Sequence, residues 1–383
     1  MATSATGAGL EDAVAAESRL AAIDGTAGNL HYAGYAIHDL VDRAGFEEVV
    51  LLLWDGDLPS VPELARFNAD LAAQRQLGDV SLRLLSVLPR RTHPMDALRT
   101  AVSALAGDDG TTGHLDLVSA RRIALRLVAQ MPTLVAAWGR LRQGKDIIPP
   151  RHDLGHAANL LWMYHGSEPS PNQVAALEAY LVLLAEHSLN ASTFAARVVI
   201  GALGDVYGAV TAAIAALKGG AHGGANQKAY EMLVQIGGPR GASAYLEESL
   251  RVRRRIMGIG HRIYKVEDPR VRHLRWHSAR LAASGVDAGI HATAEALQDL
   301  TAHHPYFVER RLAPNVEFFS APLLGALGFP ADMFPSLFAC ARIAGWSAHI
   351  FEQLQNNRLI RPKAAYVGPA PRPFVPMEER ENG

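Results

Sequence analysis

Cysteine is almost missing from this chain. Its 383 residues hold one, Cys340, which excludes an intrachain disulfide framework and any zinc site built on several thiolates, and which suits a reducing compartment. Within the apolar run "SLFACARIAG" that thiol reads as an inert core group. An excess of one charge is missing too: 37 Lys and Arg face 38 Asp and Glu, so no global field favours nucleic acid or an acidic membrane. The start, "MATSATGAGLEDAVAAESRL", has no basic region followed by an apolar stretch, and no run is apolar and charge-poor enough for a membrane span. A cytoplasmic protein with no membrane and no nucleic-acid partner is expected. Strand patterns are scarce as well, with "NLHYAGYAI" and "AAYVG" the only modest candidates.

What fills the chain is helical periodicity. "PNQVAALEAYLVLLAEHSLNASTFAARVV" puts Val174, Leu177, Leu181 and Leu184 on one face, and "DVYGAVTAAIAALKGG" does the same with Val206, Val210, Ile214 and Leu217 before a glycine stop. Both read as long buried helices, and the fold class expected is mostly α. The tail "GPAPRPFVPMEERENG" carries four prolines and is expected not to be helix but extended or wrapped over a neighbour, with disorder the alternative.

Four segments hold polar groups that a plain helical core does not need. "GGAHGGAN" surrounds His222 with glycines ahead of a helix expected near Asn226; it fits either a capping turn or a neutral imidazole approached closely by a ligand. Residues 251 to 280 carry ten Lys or Arg against two acids, which suits a polyphosphate; RNA is the alternative for such a run. In "MFPSLFACARIAGWSAHIF", Arg342 is the one formally charged side chain, needing either an internal acid or a substrate carboxylate. In "APNVEFFSAPLL", Glu317 is either an acid on the solvent face of a helix's first turn or a desolvated general base. The pair His303–His304 lacks the spacing of a metal motif, and no metal is expected.

Taken in order, "GLEDAVAAESRLAAIDGTAGNLHYAGYAIHDL", "HPMDALRTAVSAL", "AEHSLNASTFAARV", "LKGGAHGGAN", "GIGHRIYKVEDPR" and "NRLIRPKAAYVGP" resemble the citrate synthase family over nearly the whole chain. The resemblance implies a two-domain, almost wholly helical homodimer. Residues 1–224 and 335–383 would form the large domain, and 225–334 the smaller one that closes over the ligands. No permanently bound cofactor is implied; acetyl-CoA or propionyl-CoA serves as co-substrate beside oxaloacetate.

The resemblance also implies roles. His222 would hydrogen-bond the thioester carbonyl while Glu317 removes a methyl proton, and His261 would polarise the ketone of oxaloacetate. His187, Arg270, Arg342 and Arg361 would hold its carboxylates, Arg361 from the other subunit. Lys265 and the backbone of Met257, Gly258, Ile259 and Gly260 would face coenzyme A. Citrate synthesis is the expected activity, 2-methylcitrate synthesis the alternative, and a non-catalytic CoA-ester or oxaloacetate binder a third reading. Three departures from the family pattern stand out: Glu317 where Asp is usual, Gly220-Ala221 for Pro-Leu, and Gly201-Ala202 for Ser-Thr. The last two are expected to leave room for a longer acyl chain.

Overall fold

The computed structural model describes Gly9, residues 13–285 and residues 287–380. Its only sheet, among the described residues, is a three-stranded antiparallel one, Ala21–Asp24, Asn29–Tyr32 and Tyr35–Ala36 in that order. The two later strands fall within "NLHYAGYAI"; the first was not foreseen. "AAYVG" forms no strand, because residues 364–368 lie exposed with no neighbouring strand to pair their backbone. The rest is helix and connection, and no described helix is long and apolar enough to cross a membrane.

Two long helices, Leu117–Leu141 and Phe334–Gln355, pack along each other through the main core. The second is apolar nearly all round, which is the pattern of a helix enclosed by others. Around them pack Phe46–Asp55, Pro94–Leu105, Pro171–Leu184, Ala191–Gly201 and Val206–Leu217. A second group, Ala225–Ile236, Ala242–Arg251, Val271–Ala283, Ala288–His303 and Val316–Ala326, packs mainly within itself. It meets the first group where Val271–Ala283 lies on Pro171–Leu184.

The run expected as one long helix from Pro171 is broken. It stops at Leu184 and resumes at Ala191, with Ser188 at a left-handed φ of 52° between. Two contacts account for the break, one distant in sequence and one local. The buried Tyr32 hydroxyl bonds the Leu183 and Glu186 carbonyls, satisfying groups a continuing helix would have used. Asn190 then caps the new helix, its side chain accepting from the Thr193 N–H. Beyond Gln355 the tail is extended and exposed, apart from one short turn at Met377–Glu379; its last three residues lie outside the described ones.

Candidate active site

The break at 185–190 presents His187 inward, buried, beside Tyr264, whose hydroxyl lies 3.2 Å from its Nε2. Burial, then the charges of Arg270 and Arg342 and the rings of His261 and His222, holds its pKa well below the ordinary histidine value. Five of the residues singled out by sequence therefore gather in one region.

His222 sits in the tight joint between Val206–Leu217 and Ala225–Ile236. Its backbone N–H donates to the Gly219 carbonyl at 2.9 Å. None of the four surrounding glycines has a positive φ. Gly223 is required for another reason: a Cβ there would stand 2.7 Å from the Leu217 side chain and carbonyl. These glycines first serve a close turn of the chain upon itself. His222 Nε2 lies 2.8 Å from Ser192 Oγ and 3.2 Å from Asn190 Oδ1, and Ser192 Oγ accepts from Trp346 Nε1 at 3.1 Å. Burial, helped by Arg342, lowers its pKa to about 4, so the ring is neutral at pH 7.

His261 is fixed more rigidly. Its Nδ1 accepts from the N–H groups of Ile263 (3.0 Å) and Tyr264 (3.2 Å), which places the proton on Nε2. Burial and the Arg270 charge lower its pKa to about 4. The loop carrying it is tied to the start of Val316–Ala326: Gly260 N–H donates to Ala313, Asn315 N–H to the Gly258 carbonyl and Asn315 Nδ2 to the Gly260 carbonyl. Several backbone groups of the stretch Met257–Gly260 are thus engaged with the protein itself. Lys265 is exposed, its ammonium donating to the Arg262 carbonyl at 3.1 Å, and Arg251, Arg253, Arg254 and Arg255 are exposed as well.

Glu317 occupies the first turn of Val316–Ala326, after the Asn315 cap. It is half-buried and not on an open solvent face, and desolvation raises its carboxyl pKa above the ordinary value, against the nearby Arg270 charge. The two buried arginines differ. Arg270 is held by Asp268 through Nε at 2.9 Å and Nη2 at 2.6 Å, leaving Nη1. Arg342, 1% exposed, donates Nε to the Leu184 carbonyl at 2.7 Å, stacks over Phe338 and makes no ion pair among the described residues. Its two Nη groups are uncommitted. An internal acid in contact with it is therefore excluded among the described residues.

Arg361, expected to serve another subunit's site, lies outside this region in its own chain, exposed in a groove with Arg197, Glu352 and Arg358. One expectation changes. Gly201 and Ala202 lie at the far end of Ala191–Gly201 from Ser192, about 15 Å along the axis at 1.5 Å per residue, and Gly201 packs on the Arg358 carbonyl. They do not shape the space beside His222 in this chain. Sequence reading missed Asp268, Tyr264, Asn190 and Ser192. Asp268 had a signal, an acid two residues before Arg270, and Asn190 another, a capping residue ahead of an apolar run.

This arrangement has recognisable counterparts. The family model described as "Citrate synthase, C-terminal domain" matches residues 9–363. Citrate synthase 2 of Bacillus subtilis is 43% identical over 97% of this chain and 98% of its own. The 2-methylcitrate synthase 1 of Corynebacterium glutamicum is 41% identical over 92% of each. Among solved structures, citrate synthase from Pyrobaculum aerophilum superposes with a TM-score of 0.91 at 39% identity, covering 97% of this chain and 95% of its own. That of Thermoplasma acidophilum, a ternary complex with carboxymethyl coenzyme A and oxaloacetate, gives 0.92 at 30%, covering 97% and 98%. Likeness in sequence and backbone running from end to end, with buried imidazoles and an unpaired guanidinium set inside it, leaves one conclusion: the chain belongs to the citrate synthase family.

Proposed function

We propose that this protein condenses acetyl-CoA with oxaloacetate to give citrate and free CoA. The observation that carries the reading is Arg342: a guanidinium enclosed among apolar side chains with no protein counter-ion in contact, beside imidazoles that burial keeps neutral. A dianionic substrate supplies the missing charge, and an arginine fork matches two carboxylate oxygens.

In this reading Glu317 takes a proton from the acetyl methyl group. A carboxylate is a far weaker base than the enolate it would create, and each pKa unit of mismatch costs about 1.4 kcal/mol, so the thioester oxygen must be stabilised as charge develops. His222 does this. Ser192, which accepts from Trp346 Nε1 and donates to Asn190 Oδ1 at 2.8 Å, holds the ring at Nε2, and the neutral imidazole offers an N–H to the thioester oxygen when the substrate is bound. His261 Nε2–H polarises the ketone, and the enol carbon attacks it. Arg342, Arg270 Nη1 and His187 hold the carboxylates. Water then cleaves the citryl thioester to release CoA. Arg361 joins from a second subunit, and the basic surface around Lys265 takes the CoA phosphates. Residues 225–334 act as the smaller domain that closes over both substrates and excludes water.

The test is CoA release by purified protein given both substrates. Turnover above a Glu317→Gln control is expected, and a rate equal to that control overturns the reading. Propionyl-CoA is the second candidate, favoured by the small Gly220 and Ala221 beside His222. It predicts a higher kcat/KM than acetyl-CoA, within the roughly 1–3 kcal/mol that one methylene carries.

A further inference from the structure

The helix Phe334–Gln355 presents Arg342, Gly345, His349 and Glu352 at spacings of three, four and three, which aligns them on one face. Residues 184, 185 and 186 dock on that face in register. The Leu184 carbonyl accepts from Arg342 Nε at 2.7 Å, the Ala185 carbonyl from the Gly345 N–H at 3.1 Å, and Glu186 Oε1 from His349 Nε2 at 3.1 Å. Gly345 makes room for the acid, since a Cβ there would collide with Glu186 Oε2.

Glu186 is 0% exposed, and its Oε2 has no partner. His349 does not neutralise it. His349 Nδ1 accepts from Arg197 Nη1 at 2.9 Å, so the ring is a neutral donor toward Glu186. Arg197 is matched by Glu352 at 3.0 Å, and Arg270 by Asp268 at 2.6 Å. Among the described residues of this region, Glu186 is left as the buried anion without a cation in contact and Arg342 as the buried cation without an anion. The Glu186 charge is also the largest influence favouring the charged form of Arg342.

We propose that Glu186 is a positioning residue for Arg342: held by His349 over Gly345, its carboxylate compensates the guanidinium from behind and leaves both Nη groups open to a substrate carboxylate. An acid in direct contact would occupy the fork that the substrate needs. No acid at all would leave a buried charge unmatched, which is strongly destabilising. The compensation at one remove meets both demands. This rests on the condensation reading for the identity of the substrate.

The test is a double-mutant cycle on unfolding, which does not depend on turnover. Glu186→Gln removes one charge at the same shape, and Arg342→Gln removes the other with a shorter, still polar side chain. Each alone is expected to lower the Tm, and the double variant to be no less stable than the weaker single one, because loss of both charges leaves neither unmatched. Additive losses overturn the proposal. Should Glu186→Gln fail to fold, recovery of folding in the double variant supports the pairing, and continued failure overturns it. In kinetics, Glu186→Gln is expected to lower the oxaloacetate KM about tenfold, because the guanidinium is then left with the substrate dianion as its only counter-charge. The acyl-CoA KM should stay within about twofold, as for an independent site, and Glu186→Asp should return the oxaloacetate KM most of the way to the wild-type value. An unchanged oxaloacetate KM in a folded, active variant overturns it, whereas an inactive wild-type protein strikes at the condensation reading and leaves the cycle standing.

Discussion

At the scale of residues, protonation states decide what this site can do. Glu317 must be ionised and the imidazoles of His222 and His261 neutral, and the same burial that raises the carboxyl lowers both rings to about 4. The acid limb of kcat/KM is therefore expected to follow one proton through a pKa above the ordinary carboxyl value, steepening only near pH 4 as the rings charge. A pH–rate profile breaking below the ordinary carboxyl value, about 4.3, would contradict this. Glu317→Asp draws the carboxylate back by about 1.5 Å, one C–C bond. Since misplacement by about 1 Å can cost on the order of a hundredfold, a fall of that size in kcat is expected, read by steady-state assay. His222, His261, Arg342 and Glu317 were legible in sequence because imidazole among glycines, or charge inside an apolar run, is costly unless used. Their neighbours were not: nothing in "NAS" says that Ser192 reaches a histidine thirty residues on, at 2.8 Å.

Elements explain how those residues are held. The loop with His261 and the helix with Glu317 behave as one piece because Asn315 bonds both Gly258 and Gly260. Gly258 is the weak point of that joint, with φ of 79° and space for a Cβ blocked by Phe318 at 2.8 Å. Gly258→Ala should cost about 1–3 kcal/mol, measured by urea unfolding, and should reduce turnover by displacing both side chains. Helix periodicity gave the helical class and the stretch Val206–Leu217 correctly, yet it carried one helix straight through residues 185–190. The apolar spacing continues across that gap. What interrupts it is Tyr32, more than 150 positions away, whose hydroxyl takes the Leu183 and Glu186 carbonyls.

Over the whole molecule, many histidines are buried in neutral form. His156 is lowered to about 3, and His222, His261, His273 and His277 to about 4, each mainly by burial. Unfolding returns them to ordinary values near 6.5, so below that pH the unfolded chain binds more protons than the folded one. The part of the stability that these histidines govern is thus expected to be full above about pH 6.5 and to fall as pH drops toward 4, which a series of urea midpoints over that range would show. The exposed tail beyond Gln355 fits a role across a subunit boundary, and mixed dimers of Arg361→Ala and Arg342→Ala chains should regain activity that neither has alone. By itself the sequence determined the helical class, the family and the residues whose chemistry is too costly to be idle, because periodicity, glycine clusters and misplaced charge are local facts of the chain. Tertiary structure alone decided that Arg342 is unmatched: Arg270 has Asp268 at 2.6 Å, an acid two residues before it in the chain, while Arg342 meets only a carbonyl. Whether Arg342 has a partner depends on what the fold brings against it from distant segments, and no spacing around it in the chain records that.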